Sequence, residues 1–210
     1  YSAEVQHELD RHSHSGQFDL EGKASFPIVC ACMAARLEFQ LDLDGSRTNY
    51  LTGRVRDLGG KWEAMLLGDL APDAGSAASP YQGKYTVVIP GTHDPARTDQ
   101  PAGDGYGTVI VDAAGRLSFS ASLADGRTLT HGSQVSTGGY WPLYVPLYAR
   151  GEGALLSWVQ LRVPPPPAAP LRGDVALWVR PANSNAAYFP DGFELPVSVM
   201  GSKYLPAGPV

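Results

Sequence analysis

The sequence is poor in charged residues and has no run of basic side chains. Charged residues make up 18% of the 210-residue chain, and the formal net charge is -5. Nucleic-acid binding depends on clustered lysine and arginine side chains that neutralise phosphates, and the sequence offers no such cluster. No apolar run approaches the roughly 20 residues that a membrane-spanning helix requires. We therefore expect neither a nucleic-acid partner nor a membrane span.

Cysteine is almost missing, because the only two are Cys30 and Cys32 in the run Cys-Ala-Cys. In an extended strand, one intervening residue places both side chains on the same face. A bond between them would be strained. The two cysteines therefore do not predict a disulfide framework, and they do not fix the compartment of the protein.

The sequence also lacks the motifs that mark common active sites. It contains no Gly-x-Ser-x-Gly nucleophile elbow, no phosphate-binding loop and no dinucleotide fingerprint. A catalytic function is therefore disfavoured. We predict no cofactor, and zinc or copper is the alternative considered below.

Turn residues and alternating strands dominate what is present. The chain has 24 glycines and 18 prolines, which predicts frequent chain reversals and few long helices. Residues 117–123 show the pattern clearly, because leucine, phenylalanine and alanine alternate there with serine. The best candidate for a short helix is 31–39. Strands are predicted at 5–9, 12–20, 37–43, 50–55, 62–67, 85–89, 108–111, 117–123, 141–148, 155–163, 175–179 and 193–199.

An internal repeat organises these strands. Residues 11–18 match 116–123 at an offset of 105, and after one extra residue Gly22 falls on Gly126 and Leu43 on Leu147. A single meander leaves two open edges and one apolar face. We therefore predict an all-β fold of about 10–12 strands, in which two related antiparallel meanders close as a β-barrel or flattened β-sandwich.

The repeat also sets the predicted domain organisation. We expect one β domain over 1–204 made of two pseudo-repeats, followed by a linker-like tail at 205–210. The first pseudo-repeat comprises 1–67 with a strand at 84–90. The second comprises 105–180 with a strand at 193–200.

Histidines of the first half fall on apolar positions of the repeat. His12 aligns with Leu117 and His14 with Phe119. His7 shares the face of Val5 by alternation. If Asp10-Arg11 is a two-residue turn, His7 and His14 are cross-strand partners and His12 sits beside Leu9.

These histidines and the two cysteines form a candidate metal site. Imidazole and thiolate groups are ligands of zinc and copper, so His7, His12, His14, Cys30 and Cys32 would be the ligands. The alternative is that the histidines are hydrogen-bonded core or rim residues and the cysteines are small apolar fillers. A slip of one residue in the register would instead turn every histidine to solvent.

Two acidic groupings are weaker candidates. Asp42 and Asp44 stand beside a glycine and could bind calcium through oxygen ligands, but the distal glutamate of a calcium loop is missing. Asp19, Glu21 and Asp125 could serve as general acid and base on a glycan. Turns and solvated strand faces explain all of them more simply.

Aromatic residues cluster in the strand at 141–148. Alternation turns Trp141 inward and sends Tyr144 and Tyr148 to the outer face, close to Tyr140. Exposed tyrosines on a β surface can stack on sugar rings or contact another protein. Pro142 and Pro146, which share that outer face, predict an edge strand or a bulge. An aromatic cap on an edge strand is the purely architectural alternative.

The second half contains the motifs Gly83-Lys-Tyr-Thr86, Pro101-Ala-Gly-Asp-Gly-Tyr-Gly-Thr108, Leu123-Ala-Asp-Gly126, Trp141-Pro-Leu-Tyr144, Pro146-Leu-Tyr148, Tyr188-Phe-Pro-Asp-Gly-Phe193 and Gly201-Ser-Lys-Tyr204. These motifs resemble an uncharacterised β-rich domain found near the C-terminal part of large secreted bacterial surface proteins. The resemblance is looser over the first half. It implies an extracellular or cell-surface location and further modules in the same polypeptide. It implies no catalytic residues.

Together these features predict a non-catalytic structural or binding module of an exported bacterial protein. Its partner would be a glycan or another surface protein, bound through Tyr140, Tyr144 and Tyr148. The alternative is a metal-binding protein or metalloenzyme that uses the histidines and cysteines of the first half.

Overall fold

A computed structural model describes residues 1–29, 34–41, 50–72, 78–94, 96–163 and 170–204. Within these ranges the chain forms fourteen strands and one 3-10 turn, which confirms the predicted all-β class. The chain divides into two compact units, Tyr1–Leu70 (unit 1) and Ala71–Val210 (unit 2). The strands are β1 (Ser2–His7), β2 (Asp10–Ser15), β3 (Lys23–Val29), β4 (Ala34–Leu41), β5 (Tyr50–Asp57), β6 (Glu63–Asp69), β7 (Gly83–Ile89), β8 (Gly105–Val111), β9 (Arg116–Ser122), β10 (Thr128–Gln134), β11 (Tyr140–Leu147), β12 (Gly153–Leu161), β13 (Leu171–Arg180) and β14 (Phe193–Lys203).

Unit 1 consists of a two-stranded hairpin and a four-stranded antiparallel sheet. The hairpin pairs β1 with β2, and the sheet has the order β3-β4-β5-β6. Phe26, Ile28 and Leu37 form the buried centre of the sheet's inner face. Ala3 and Val5 of the hairpin pack against this centre. The hairpin therefore supplies the cover that gives the small sheet a core.

The hairpin turn lies two residues earlier than the sequence suggested. His7 pairs with Asp10 and Val5 pairs with His12, so the turn is Glu8-Leu9 rather than Asp10-Arg11. Glu8 adopts a φ of 53°, a left-handed conformation. Consequently His7 and His14 are not cross-strand partners, and His14 lies opposite Ala3 instead.

Unit 2 is one antiparallel sheet of eight strands in the order β10-β9-β8-β7-β14-β13-β12-β11. The sheet curls into a nearly closed, barrel-like shape whose two edges are β10 and β11. The alternation predicted for 117–123 is confirmed, because Leu117 and Phe119 are buried and Ser118 and Ser120 are exposed. Trp141 is fully buried in the same core.

Three of the four prolines within the described strands lie on sheet edges, and the fourth, Pro196, lies on the interior strand β14. Pro142 and Pro146 lie on β11, and Pro27 lies on β3, and each of these strands is an edge of its sheet. Proline has no N–H to donate to a neighbouring strand, so an edge is where it costs least. The prediction that 141–148 is an edge strand or a bulge is therefore confirmed for the edge.

Three regions differ from the expected layout. β3 and β10 were not among the predicted strands, because Pro27 interrupts one pattern and the other carries few large apolar residues. The described part of the helix candidate 31–39 is strand β4. β7 pairs with β8 and β14, so the strand at 84–90 belongs to unit 2 rather than to the first half. The predicted tail at 205–210 lies outside the described residues.

Candidate functional site

A strip of aromatic and aliphatic side chains runs along the outer face of β11 and β12. The rings of Tyr140 and Trp158 are stacked, with centroids 5.9 Å apart and an interplanar angle of 16°. Tyr144 lies opposite Leu156 in the next pair of this face. Trp158 is 41% exposed and Leu156 is 39% exposed. We call Tyr140, Tyr144, Leu156 and Trp158 the aromatic strip.

Polar side chains border the strip in the same register. Tyr140 pairs with Gln160, and Gln160 pairs with Arg172 on the following strand. The Nε of Arg162 donates a hydrogen bond of 2.9 Å to the Oε1 of Gln160. Stacked rings thus stand beside hydrogen-bonding groups on one continuous sheet face.

Tyr148 does not belong to the strip, although alternation predicted that it would share the face of Tyr144. β11 ends at Leu147, and Tyr148 takes a φ of 66° that turns its side chain away. Its ring packs against the core of unit 2. Its hydroxyl donates a hydrogen bond of 2.9 Å to the Oδ2 of Asp125 and accepts one of 3.0 Å from the Nε1 of Trp178.

Burial raises the pKa of Tyr148 above its ordinary value, and the neighbouring Asp125 carboxylate raises it further. The hydroxyl therefore keeps its proton and remains a hydrogen-bond donor. Tyr148 acts as a fixed connection between the β9–β10 turn and β13, not as an exposed binding ring.

Asp125 and Arg180 form a buried ion pair in the same cluster. Their side chains are 2% and 15% exposed, and the Nη1 of Arg180 lies 3.3 Å from the Oδ2 of Asp125. The Nη2 of Arg180 donates a hydrogen bond of 2.9 Å to the carbonyl oxygen of Tyr188. An open groove of about 490 Å³ lies over this pair, and Arg127 is part of its lining.

Sequence reasoning favoured a turn at Asp125 over a general acid or base, and that turn does exist. The N–H of Gly126 donates to the carbonyl of Leu123, and Gly126 has a φ of 83°. The partners of Asp125 lie 23 and 55 residues away, at Tyr148 and Arg180. No local pattern could have brought these side chains together, so the groove was missed.

The three histidines of unit 1 do lie on one face of the hairpin. His14 stacks on Phe26, with ring centroids 4.0 Å apart. The Nδ1 of His7 and the Nε2 of His12 are buried and have no hydrogen-bond partner among the described residues. Cys30 and Cys32 lie outside the described residues, and within the described ranges no three metal-binding side chains form a group.

The acidic candidates of the first half have structural roles where they are described. The Oδ1 of Asp19 accepts hydrogen bonds from the backbone N–H groups of Glu21 and Lys23, at 3.1 and 2.7 Å. This carboxylate closes the turn that leads into β3. Asp42 and Asp44 lie outside the described residues.

A groove of about 1040 Å³ lies on the outer face of the four-stranded sheet of unit 1. Four of its charged side chains pair with one another. The Nη1 of Arg54 lies 3.3 Å from Glu63, and the Nη2 of Arg56 lies 3.6 Å from Glu38. This mutual neutralisation leaves the groove without a distinctive charge for a ligand, so its size alone does not make it a site.

A fourth histidine, His131, lies in the interior of unit 2. Its ring is 6.3 Å from that of Trp141, and its buried Nε2 has no hydrogen-bond partner in the described part of the chain. Burial lowers the pKa of His131 below its ordinary value. Sequence reasoning overlooked this residue because the surrounding strand had not been recognised.

Comparisons with protein-family models, with curated proteins and with solved structures found no match. The resemblance to β-rich domains of exported bacterial proteins therefore stays a prediction. In the ranges that the structure describes, no helix is long and apolar enough to cross a membrane.

Proposed function

We propose that this chain is a non-catalytic binding module that holds a carbohydrate against the aromatic strip of unit 2. The observation that carries the proposal is the platform formed by the exposed ring of Trp158 stacked on the half-buried ring of Tyr140. Sugar rings present apolar C–H faces, and flat aromatic side chains with a polar edge suit such faces. Leu156 extends the platform along the strand.

The backbone beneath the strip supports this function. All four residues of the strip lie on β11 or β12, which pair continuously from Tyr140 to Leu147 and from Gly153 to Gln160. Side chains on paired strands need little reordering when a ligand arrives. The strip is therefore prepared for a ligand with a flat, extended surface.

The polar side chains beside the aromatic strip can form hydrogen bonds to a carbohydrate ligand. Gln160 and Arg172 stand in register with Tyr140, and Arg162 orients the amide of Gln160. Amide and guanidinium groups can donate to sugar hydroxyls while the rings stack on the sugar face. This division of roles favours a carbohydrate over a purely apolar protein surface.

Two of the acidic candidates are occupied by structural hydrogen bonds, which favours binding over hydrolysis. Glycoside hydrolysis uses a pair of carboxyl groups that face the substrate. Asp19 closes a backbone turn, and Asp125 is 2% exposed and bound to Tyr148 and Arg180. The carboxylate of Asp125 is therefore withdrawn from a substrate, and one oxygen of Asp19 is engaged by the turn that it closes.

We place this module in an exported bacterial protein, at the cell surface or outside the cell. The support is the resemblance of the second-half motifs to domains of such proteins, which also carry further modules. Another surface protein remains the competing partner for the strip, and the experiment below distinguishes it from a carbohydrate.

The test is binding to a panel of β-1,4-glucan, chitin, mannan and xylan oligosaccharides, followed by isothermal titration with the best ligand. Trp158→Ala should weaken binding about tenfold, because a stacked aromatic contributes on the order of 1–2 kcal/mol. Trp62→Ala is the matched control, since Trp62 is 45% exposed but lies in unit 1. Equal loss in both variants, or no carbohydrate binding by the unaltered chain, would contradict the proposal.

A second candidate function, metal binding by unit 1, is favoured by one observation. His7 and His12 share a hairpin face, and each has a buried ring nitrogen to which no other described residue forms a hydrogen bond. Such nitrogens are suited to zinc or copper. Elemental analysis of the native protein should then find about one metal ion per chain, and His12→Phe should release it. A metal-free native protein that takes up no added zinc would remove this candidate.

A further inference from the structure

A groove above the buried Asp125–Arg180 pair is a second candidate site in unit 2. Three separate segments build it: the β9–β10 turn, the end of β13 and the loop that follows β13. Its volume is about 490 Å³, and polar atoms contribute much of its lining. The groove shares no residue with the aromatic strip, so it is independent of the function proposed above. Its lining includes Asp125, Gly126, Arg127, Thr128, Arg180 and Tyr188.

The carboxylate of Asp125, the acidic group of the groove, is already engaged by hydrogen bonds and an ion pair within the protein. The Oδ1 of Asp125 accepts the backbone N–H of Arg127 at 3.1 Å. The Oδ2 accepts the hydroxyl of Tyr148 and lies 3.3 Å from the guanidinium of Arg180. With its side chain 2% exposed, this carboxylate neutralises one guanidinium and presents almost no charge to a ligand.

The guanidinium of Arg127 is left as the exposed charge of the groove. Its central carbon lies 4.6 Å from the centroid of the Tyr148 ring, a cation–π contact that orients the group without neutralising it. Arg180 lies 5.3 Å from the same ring centroid. Two guanidinium groups thus flank one tyrosine, and one carboxylate balances only one of them. The groove therefore carries a net positive charge that favours an anionic ligand.

Arg180 is held rigidly in the floor of this groove. Its guanidinium lies 5.6 Å from the Phe189 ring centroid and donates to the carbonyl of Tyr188. Tyr148 and Phe189, the two rings that contact it, both adopt positive φ values, 66° and 53°. Non-glycine residues adopt such conformations only where the surroundings enforce them, and they concentrate at ligand-binding sites. The contacts that enforce these two backbone conformations also hold the groove in its shape.

An exposed aromatic ring completes the lining. Tyr188 is 75% exposed although its main-chain carbonyl is fixed by Arg180. A guanidinium fork matches a planar carboxylate, and a tyrosine ring can stack on the apolar face of a sugar. We propose that the groove binds an acidic sugar, with Arg127 contacting the carboxylate of a uronic acid and Tyr188 packing on its ring.

The test is isothermal titration of the full chain with a galacturonic acid trisaccharide and with the matching neutral galactose trisaccharide. We expect the acidic sugar to bind at least about tenfold more tightly than the neutral one, because only it satisfies the guanidinium. Arg127→Gln should remove this preference. Arg116→Gln is the matched control, since Arg116 is an exposed arginine at the opposite end of β9. Tyr188→Ala should weaken both sugars at this site.

Several results would overturn the proposal. The unaltered chain would fail to prefer the acidic trisaccharide, or Arg127→Gln would behave like Arg116→Gln. Equally tight binding of acetate or inorganic phosphate would exclude a sugar site. Loss of the acidic preference in Trp158→Ala, with Arg127→Gln unaffected, would assign the ligand to the aromatic strip instead. Conversely, an unchanged acidic preference in Trp158→Ala supports this groove whatever the strip binds.

Discussion

The two units use the same alternating strands but bury very different amounts of apolar surface. Among the described residues, the core cluster of unit 1 has three buried members, whereas that of unit 2 has 23. Unit 2 curls its single sheet until both edges approach, so its inner face covers itself. Unit 1 covers four strands with one hairpin. Curvature of the sheet, more than strand composition, therefore decides how large a core forms, and both proposed carbohydrate sites lie on the better-packed unit.

The largest expected effect is the loss of cooperative folding in unit 1 when its central aromatic residue is removed. Phe26 is 1% exposed and contacts His14 of the hairpin. Phe26→Ala should cost about 3–5 kcal/mol, which is comparable to the whole stability that so small a core provides. Urea unfolding followed by the indole N–H signal of Trp62 in ¹⁵N–¹H spectra should lose its cooperative transition, while unit 2 unfolds as before.

A shared transition would break this comparison. If Phe26→Ala shifted the unfolding of both units by the same amount, the two would be one cooperative body. Leu20→Ala is a suitable control, because Leu20 is an apolar side chain of unit 1 that is 95% exposed and should matter little.

The next effect concerns the buried ion pair of unit 2. Asp125→Asn leaves the guanidinium of Arg180 buried without a counter-charge and should cost about 3 kcal/mol. Asp112→Asn is the matched change at the surface ion pair of Asp112 and Arg116, whose side chains are 40% and 77% exposed, and it should cost far less. Chemical denaturation of unit 2 measures both. Similar losses in the two variants would show that Asp125 and Arg180 are effectively solvated.

The smallest of the three effects is a pH dependence of the stability of unit 2, caused by protonation of His131. Burial lowers the pKa of His131 in the folded chain below its value of 6.5 in the unfolded chain. The unfolded state therefore binds the proton first, so the free energy of unfolding falls as the pH drops below about 6.5 and levels off below the folded pKa. His131→Phe should remove this part of the pH dependence, as measured by urea unfolding between pH 7.5 and 5. An unchanged pH profile would contradict the buried position of the ring.

The alternation of apolar residues and the positions of the prolines predicted more of the fold than the turn-forming residues did. The inward faces of β9 and β11 and the edge position of β11 followed from the positions of Leu117, Phe119, Trp141 and the two prolines. The first hairpin was misplaced because Asp10 is a better turn residue than Glu8, yet Glu8 takes the left-handed conformation.

The candidate sites were predictable only in part. Tyr140 and Tyr144 lie on the predicted outer face, whereas Tyr148 leaves it because a positive φ at the end of β11 reverses the direction of its side chain. Trp158 lies beside Tyr140 because β12 pairs with β11 in a register that the sequence does not reveal. The groove depends on Asp125 and Arg180, which are 55 residues apart. Such contacts arise from sheet curvature, which no local pattern encodes.

The most direct test of the central claim, that unit 2 binds carbohydrate through its aromatic strip, is the indole N–H region of a ¹⁵N–¹H spectrum. The chain has four tryptophans, one in unit 1 at Trp62 and the others at Trp141, Trp158 and Trp178. Addition of the best oligosaccharide should shift the Trp158 signal strongly and leave the Trp62 and buried Trp141 signals in place. A shift of Trp62 with Trp158 unmoved would contradict the claim.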